Sequence, residues 1–261
     1  MGWWQPRTGA VDGRAVGLPG RVRACLFDLD GVLTQTASVH AAAWREMFDA
    51  YLKARASCTG GHFVAFDPVG DYDEYVDGKS RADGTRSFLF SRGIDLPEGA
   101  QGDPPDRDTV LSLGDRKNEI VLRRIRDDGV RPYPGSVRYV VAARAAGLRL
   151  AVVSSSANCA AVLQAAGIQE YFEARVDGLT AQRDRLAGKP APDLFLAAAR
   201  ALAVAPEDAA VFEDALAGVA AGRAGGFGFV VGVDRVGQAQ QLSIHGADVV
   251  VADLADLLVT L

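Results

Sequence analysis

Residues 22–31, VRACLFDLDG, are the most informative stretch of this chain for predicting its fold. The first seven of them form a short, mainly apolar run that ends in the carboxylate of Asp28, and Gly31 follows three residues later. This pattern predicts a buried strand of a parallel sheet that ends in a functional loop, because such strands are covered on both faces. Asp28 and Asp30 stand two residues apart beside the Gly31 turn and can face one pocket. Taken alone, a turn with a capping aspartate is the commoner interpretation.

The part of the chain after residue 131 alternates between strand and helix patterns. Strands are predicted at residues 148–153, 209–212, 227–233 and 248–251, and helices at residues 136–146, 158–166, 193–202 and 216–224. This alternation predicts an α/β fold, a Rossmann-like parallel sheet core flanked by helices on both faces. Ligands of such sheets bind at the carboxyl ends of the strands.

Residues 36–131 interrupt this alternation. They contain helical patterns at 40–54, 84–92 and 116–127 and a stretch rich in Gly, Pro and Asp at 96–108. We expect a mostly helical cap domain inserted after the first strand, with residues 21–35 and 132–261 as the core domain. Residues 1–20 are interpreted as a loose N-terminal arm. The sequence leaves open whether Trp3 and Trp4 of this arm pack against the rest of the protein.

Composition excludes several classes of protein. Apolar residues make up 49% and charged residues 23%, which is typical of a globular chain and not of a disordered one. The formal net charge of −5 lacks the basic excess of a general nucleic-acid binder. No stretch is apolar and long enough to span a bilayer, and no signal peptide is evident. Three widely spaced cysteines fit neither a disulfide framework nor a zinc site, so we expect a cytoplasmic protein.

Polar residues follow the predicted strands in a pattern that is typical of a catalytic site. A run of Ser154, Ser155 and Ser156 ends the second strand, Lys189-Pro190 opens a helix, and Glu213-Asp214 ends the third strand. Together with Asp28 and Asp30 they supply a nucleophile, phosphate donors, a cation and metal ligands. Two of these have a structural alternative: Lys189 could be an ordinary surface lysine, and Glu213-Asp214 could simply cap the next helix.

The chain resembles the haloacid dehalogenase superfamily through four motifs in the family's order. They are FDLDGVLT at 27–34, VVSSS at 152–156, GKPAPD at 188–193 and FED at 212–214. Within that superfamily it is similar to the β-phosphoglucomutase family, through DLDGVLTQTASVHAAAW at 28–44, DGKSRADG at 77–84, DRKN at 115–118 and SSSAN at 154–158.

The resemblance implies a role for each matching residue. Asp28 would be the nucleophile that becomes an aspartyl phosphate, and Asp30 the general acid and base. Asp28, the main chain at Asp30, Glu213 and Asp214 would surround Mg²⁺. Contacts with the substrate would come from both parts of the chain, from Thr36, His40, Trp44, Gly78, Ser80, Arg81, Lys117, Ser154, Ser155, Ser156, Asn158 and Lys189.

Some of these residues have plain alternatives, and some positions depart from the family. His40 and Trp44 could be packing residues, and Arg81 could be a solvated residue at a helix start. Asp77 stands before Gly78 where a basic residue is frequent, Gln35 replaces an acid, and the cap is longer than usual. These departures concern the sugar that is recognised rather than the phosphoryl chemistry.

Three functions compete at this point. The leading one is a mutase that interconverts β-glucose 1-phosphate and glucose 6-phosphate through a bisphosphate. The second is a magnesium-dependent phosphatase on a sugar phosphate, in which water attacks the acyl phosphate. The third is an inactive sugar-phosphate binder, which the intact acidic set and Lys189 disfavour. The expected partner is a small sugar phosphate, with no nucleic acid and no membrane; the sequence leaves the oligomeric state open, with a monomer as one interpretation.

Overall fold

The computed structural model describes residues 12–258. It divides into two compact units: unit 1 contains the described residues up to 34 and from 131 onward, and unit 2 contains residues 35–130. Among the described residues, no helix is long and apolar enough to cross a membrane.

Unit 1 is built on a six-stranded parallel sheet with the strand order β3-β2-β1-β4-β5-β6. Its strands are β1 (Ala24–Phe27), β2 (Arg149–Val153), β3 (Ala174–Val176), β4 (Ala209–Glu213), β5 (Phe229–Val233) and β6 (Val249–Val251). Phe27 lies opposite Val152 on one side and Phe212 on the other. The residues after Phe27 and Phe212 therefore emerge side by side at the carboxyl edge of the sheet.

Helices flank this sheet. They are α4 (Pro134–Ala145), α5 (Cys159–Ala165), α6 (Gly178–Asp184), α7 (Asp193–Ala201), α8 (Leu216–Ala224) and α9 (Ala239–Ile244). Leu194, Phe195 and Ala198 of α7 are buried in one hydrophobic cluster with Leu26 and Val211 of the central strands. All four residues of β1 are buried, as a strand covered on both faces requires.

Unit 2 is helical. Its elements are α1 (Ala37–Thr59), a π-helical turn at Tyr72–Val76, α2 (Arg81–Ser91) and α3 (Val110–Asp128). An aromatic core holds them together: Phe48 stacks on Trp44 with 5.1 Å between ring centroids and lies 4.1 Å from Phe88. Such aromatic contacts bury large areas and so stabilise the unit.

The predicted α/β fold with a parallel sheet flanked by helices is confirmed. Three short elements, β3, α6 and α9, were missing from the sequence-based prediction. Helix α3 begins at Val110 rather than at Arg116, because Thr109 and Ser112 form a reciprocal capping box there.

The prediction of a loose arm over residues 1–20 is wrong for residues 13–18. Gly13–Val16 form a 3₁₀ turn that Asp12 caps. Val16 and Leu18 are buried, and the Tyr139 hydroxyl donates a hydrogen bond to the Val16 carbonyl at 3.0 Å. Burial of these apolar side chains fixes the segment to unit 1. Trp3 and Trp4 lie outside the described residues.

Candidate active site

Asp28 directly follows β1, and a tight turn follows it. The Asp28 amide donates to the Phe212 carbonyl at 2.9 Å, which continues the sheet ladder by one residue. In the turn, Gly31 N–H donates to the Thr34 carbonyl at 2.8 Å with Gly31 at φ +90°, a conformation that favours glycine. A Cβ at Gly31 would lie 1.7 Å from Oδ2 of Asp214. The turn therefore lies directly against the Asp214 carboxylate.

Lys189 lies at the centre of the buried charges. Its Nζ is 2.5 Å from Oδ1 of Asp28 and also contacts the Glu213 carboxylate. The ammonium group lies 5.0 Å from the centre of the Phe195 ring. Burial acts to lower the pKa of Lys189, but the two carboxylates outweigh it and raise that pKa, so the side chain stays protonated. The alternative of an ordinary surface lysine is wrong, because Lys189 is only 3% exposed.

Asp28, Glu213 and Asp214 form a compact buried carboxylate group. One oxygen from each lies within 4.8 Å of the others. Glu213 fills space that Gly218 of α8 leaves open, since a Cβ there would lie 1.9 Å from Oε1 of Glu213. Lys189 contacts two of these three carboxylates, so the group carries excess negative charge and suits a divalent cation, which prefers oxygen ligands.

Burial strongly perturbs Asp28. It raises the pKa of that carboxyl well above its usual range; Lys189 opposes the rise, and Glu213 adds to it. A cation bound by the carboxylates would favour the ionised form. The donor set therefore fits the divalent metal that the resemblance implies.

The serine loop after β2 lies at the same edge of the sheet. Ser154 is buried, and its hydroxyl accepts a hydrogen bond from the Ser156 amide at 3.0 Å. The Ser156 hydroxyl in turn accepts from the Asn158 amide at 3.1 Å. Ser155 is half-buried between them. These short-range contacts fold the loop so that it leads into α5 at the carboxyl edge of β2.

In unit 2 the structure brings three predicted residues together. His40 Nδ1 lies 2.7 Å from Lys117 Nζ, and that ammonium sits 4.7 Å from the centre of the Trp44 ring. Lys117 and Trp44 are both only 3% exposed, and Thr36, the residue before α1, is buried as well. Trp44 belongs to the aromatic core, in agreement with the alternative that it is a packing residue. One face of its ring also contacts the Lys117 ammonium.

The remaining predicted residues of unit 2 surround the start of α2. Arg81 donates from Nη1 to the Gly114 carbonyl and to Oδ1 of Asp115, both at 3.2 Å. Burial lowers the pKa of Arg81, and Asp115 opposes this. Ser80 caps α2 by accepting from the Asp83 amide, and Gly78 adopts φ +69°. Arg81 is thus partly buried and held at the helix start by two hydrogen bonds. This differs from the alternative interpretation of Arg81 as a solvated residue.

Lys79 occupies the same loop, two residues after Asp77. Its Nζ donates to Ser87 Oγ at 3.0 Å and to the Glu74 carbonyl at 3.2 Å. The basic residue of this loop therefore fastens it to α2 and to the preceding turn.

Sequence reasoning missed Arg235 and Gln238, which follow β5. Arg235 donates from Nε to the Gly31 carbonyl at 2.8 Å, and Gln238 donates from Nε2 to the Asp214 carbonyl at 3.1 Å. A signal was present: residues 227–233 were predicted as a strand, and the loop at its carboxyl end belongs to the edge where ligands bind.

Comparison with known proteins identifies the family of this chain. Residues 22–226 match the family model of haloacid dehalogenase-like hydrolases, so the chain belongs to that family. Among its relatives, a β-phosphoglucomutase of Mycobacterium bovis is 58% identical over 98% of this chain and 99% of its own length. A β-phosphoglucomutase of Bacillus subtilis is 31% identical over 90% of this chain and 92% of its own.

A solved structure of another β-phosphoglucomutase is also similar to this chain. The crystal structure of a β-phosphoglucomutase from Clostridium difficile has a TM-score of 0.71 and 26% sequence identity. The match covers 90% of this chain and 93% of that one.

Proposed function

We propose that this chain catalyses the β-phosphoglucomutase reaction, the interconversion of β-glucose 1-phosphate and glucose 6-phosphate through a bisphosphate. The observation that carries the proposal is the 58% identity over nearly the whole chain to a β-phosphoglucomutase. The buried set of Asp28, Lys189, Glu213 and Asp214 supports it independently, because it provides a carboxylate nucleophile beside a fixed cation.

In the first half of the reaction, an oxygen of the Asp28 carboxylate attacks the phosphorus of the bound phosphoester. A new bond forms between that oxygen and phosphorus, and the bond from phosphorus to the sugar oxygen breaks. Asp30 donates a proton to the departing sugar oxygen. Lys189 and Ser154 bind the phosphoryl oxygens and stabilise the charge that spreads over them during transfer.

Mg²⁺ is the cation we propose for Asp28, Glu213 and Asp214, with the main chain at Asp30 as a further ligand. When bound, it supplies positive charge that neutralises the phosphoryl oxygens. The supporting observation is the compact, buried carboxylate group, whose oxygen ligands suit magnesium.

In the second half, Asp30 takes a proton from the incoming sugar hydroxyl. That hydroxyl oxygen then bonds to phosphorus, and the bond to Asp28 breaks, which restores the carboxylate. The resemblance assigns the binding of the rest of the sugar phosphate to the residues of unit 2 and to Ser155, Ser156 and Asn158. Arg81 is the proposed ligand of the phosphate that is not reacting, because a guanidinium makes bidentate contacts with phosphate.

A magnesium-dependent sugar-phosphate phosphatase is the second candidate, because the family model itself describes hydrolases. It would use the same Asp28, Asp30 and cation, with water in place of the sugar hydroxyl. The two candidates differ only in which oxygen attacks the aspartyl phosphate.

A product assay separates these candidates. The protein is incubated with β-glucose 1-phosphate, Mg²⁺ and a trace of glucose 1,6-bisphosphate. Formation of glucose 6-phosphate supports the mutase. Release of free glucose and inorganic phosphate in equal amounts, without glucose 6-phosphate, would assign the phosphatase instead.

A further inference from the structure

The loop that follows β5, residues 234–238, contacts two loops that carry carboxylates of the proposed active site. Arg235 reaches the turn after Asp28, and Gln238 reaches the backbone of Asp214. We propose that this segment, called the brace loop, holds Asp28 and Asp214 at the separation that binding of the cation requires. Arg235 and Gln238 are then positioning residues, and the inference rests on the proposed function of the carboxylate group.

Arg235 is held on several sides. Besides the Gly31 carbonyl, it donates from Nη1 to the Ala252 carbonyl at 2.8 Å. Its guanidinium carbon lies 3.7 Å from the centre of the Tyr133 ring. The side chain is half-buried. Its Nη2 also donates to the Val32 carbonyl at 3.5 Å. A guanidinium fixed by three carbonyls and a ring has little freedom left, so it can hold the turn in place.

The contact of Arg235 with the Gly31 carbonyl affects the position of a turn that lies beside Asp214. Because a Cβ at Gly31 would overlap the Asp214 carboxylate, the turn lies directly against that carboxylate. Nearby carbonyls of the turn are also held from outside: Ser136 donates to Val32 at 2.7 Å, and the Tyr133 amide donates to Leu33 at 2.9 Å. A shift of Gly31 would therefore change the space beside Asp214.

The brace loop is itself folded by Asp234. One oxygen of that carboxylate accepts from the amides of Val236, Gly237 and Gln238 at 2.7–3.2 Å. Burial acts to raise the pKa of Asp234, but the backbone N–H groups outweigh it and lower that pKa, so the carboxylate stays ionised. This closed turn sets the spacing between Arg235 and Gln238, and so links the two contacts.

The test compares Arg235→Met and Gln238→Leu with Arg223→Met. Arg223 also binds backbone with its guanidinium, through the Gly246 carbonyl at 2.6 Å, and it pairs with Asp248 rather than with a carboxylate of the proposed metal site. Calorimetric titration with Mg²⁺ measures the dissociation constant directly, and thermal unfolding measures stability. Removal of supporting contacts around metal ligands weakens metal binding by about 10–100-fold. We expect at least about tenfold weaker Mg²⁺ binding for Arg235→Met and a smaller loss for Gln238→Leu, with Arg223→Met within about twofold of wild type.

Arg235→Lys keeps the positive charge but loses the planar fork that reaches several carbonyls at once, so it should bind Mg²⁺ with an affinity between those of wild type and Arg235→Met. If Arg235→Met does not fold, Arg235→Lys and Gln238→Leu carry the test, each with weaker binding than Arg223→Met. Binding of Mg²⁺ within about twofold of wild type in every folded brace-loop variant would overturn the inference. Wild-type protein that binds no Mg²⁺ would instead overturn the proposed metal site.

Discussion

At the scale of single residues, the site depends on a lysine enclosed by carboxylates. Lys189 contacts both Asp28 and Glu213 where water has little access. Breaking a buried pair of this kind leaves an uncompensated charge, whereas Lys189 retains Glu213 as a partner if only Asp28 is neutralised. Asp28 can therefore be changed with a smaller structural consequence than Lys189.

Asp28→Asn should abolish phosphoryl transfer while the fold persists. The amide cannot act as an anionic nucleophile, so the rate should fall by at least about a thousandfold. Turnover of β-glucose 1-phosphate by purified variant and wild type measures this, with circular dichroism as the check on folding. A folded variant that retains a tenth of the activity would refute the role of Asp28.

Arg81→Ala tests the proposed contact with the distal phosphate. We expect mutase activity to fall by about a hundredfold, as for the loss of a charge-assisted hydrogen bond of about 3 kcal/mol. Hydrolysis of a small phosphate ester should change far less, because it has no distal phosphate. Arg86→Ala is the matched control: Arg86 lies on the same helix but pairs with Asp83 and Glu98 at the surface. Equal loss of both activities in Arg81→Ala would remove Arg81 from this role.

At the scale of elements, the tight turn after β1 is the part most sensitive to added volume. Gly31→Ala adds a Cβ where the Asp214 carboxylate lies and also strains a positive φ. We expect a loss of more than about 2 kcal/mol of unfolding free energy, together with weaker Mg²⁺ binding. Urea unfolding and calorimetry give the two values.

Gly226→Ala separates the two causes. Gly226 also has a positive φ, of +69°, but a Cβ there would meet nothing within 4 Å. It should cost only about 1 kcal/mol, the usual penalty for the backbone conformation. If the two substitutions proved equally mild, the turn would not be pressed against Asp214 as described.

The elements also explain how much the sequence could predict. Asp28, Ser154, Glu213 and Asp214 all follow apolar runs, and parallel strands bring their carboxyl ends to one edge, so their proximity could be foreseen. Strand β3 has three residues, of which only Val176 is buried, and so offers no apolar run. The loop of Arg235 could be placed at the same edge, but its contacts with backbone carbonyls could not be foreseen from residue types. The His40–Lys117 contact depends on how α1 and α3 pack.

At the scale of the whole molecule, the buried group of Asp28, Glu213 and Asp214 leads us to expect an activity that depends on a metal. Thorough chelation should abolish turnover of β-glucose 1-phosphate, and added Mg²⁺ should restore it. Asp214→Asn should raise the Mg²⁺ concentration needed for half-maximal rate. Full activity after chelation would mean that Glu213 and Asp214 only cap the following helix.

In the proposed reaction a phosphoryl group passes through Asp28 to a sugar hydroxyl, and a chase with labelled phosphate follows that group directly. The protein is loaded from glucose 1,6-bisphosphate with radioactive phosphate, and the labelled peptide is mapped. β-Glucose 1-phosphate is then added, and the label is followed. We predict label on the peptide that contains Asp28 and its transfer into sugar phosphate. Label on another residue, or its release as inorganic phosphate in the presence of the sugar phosphate, would contradict the proposed reaction.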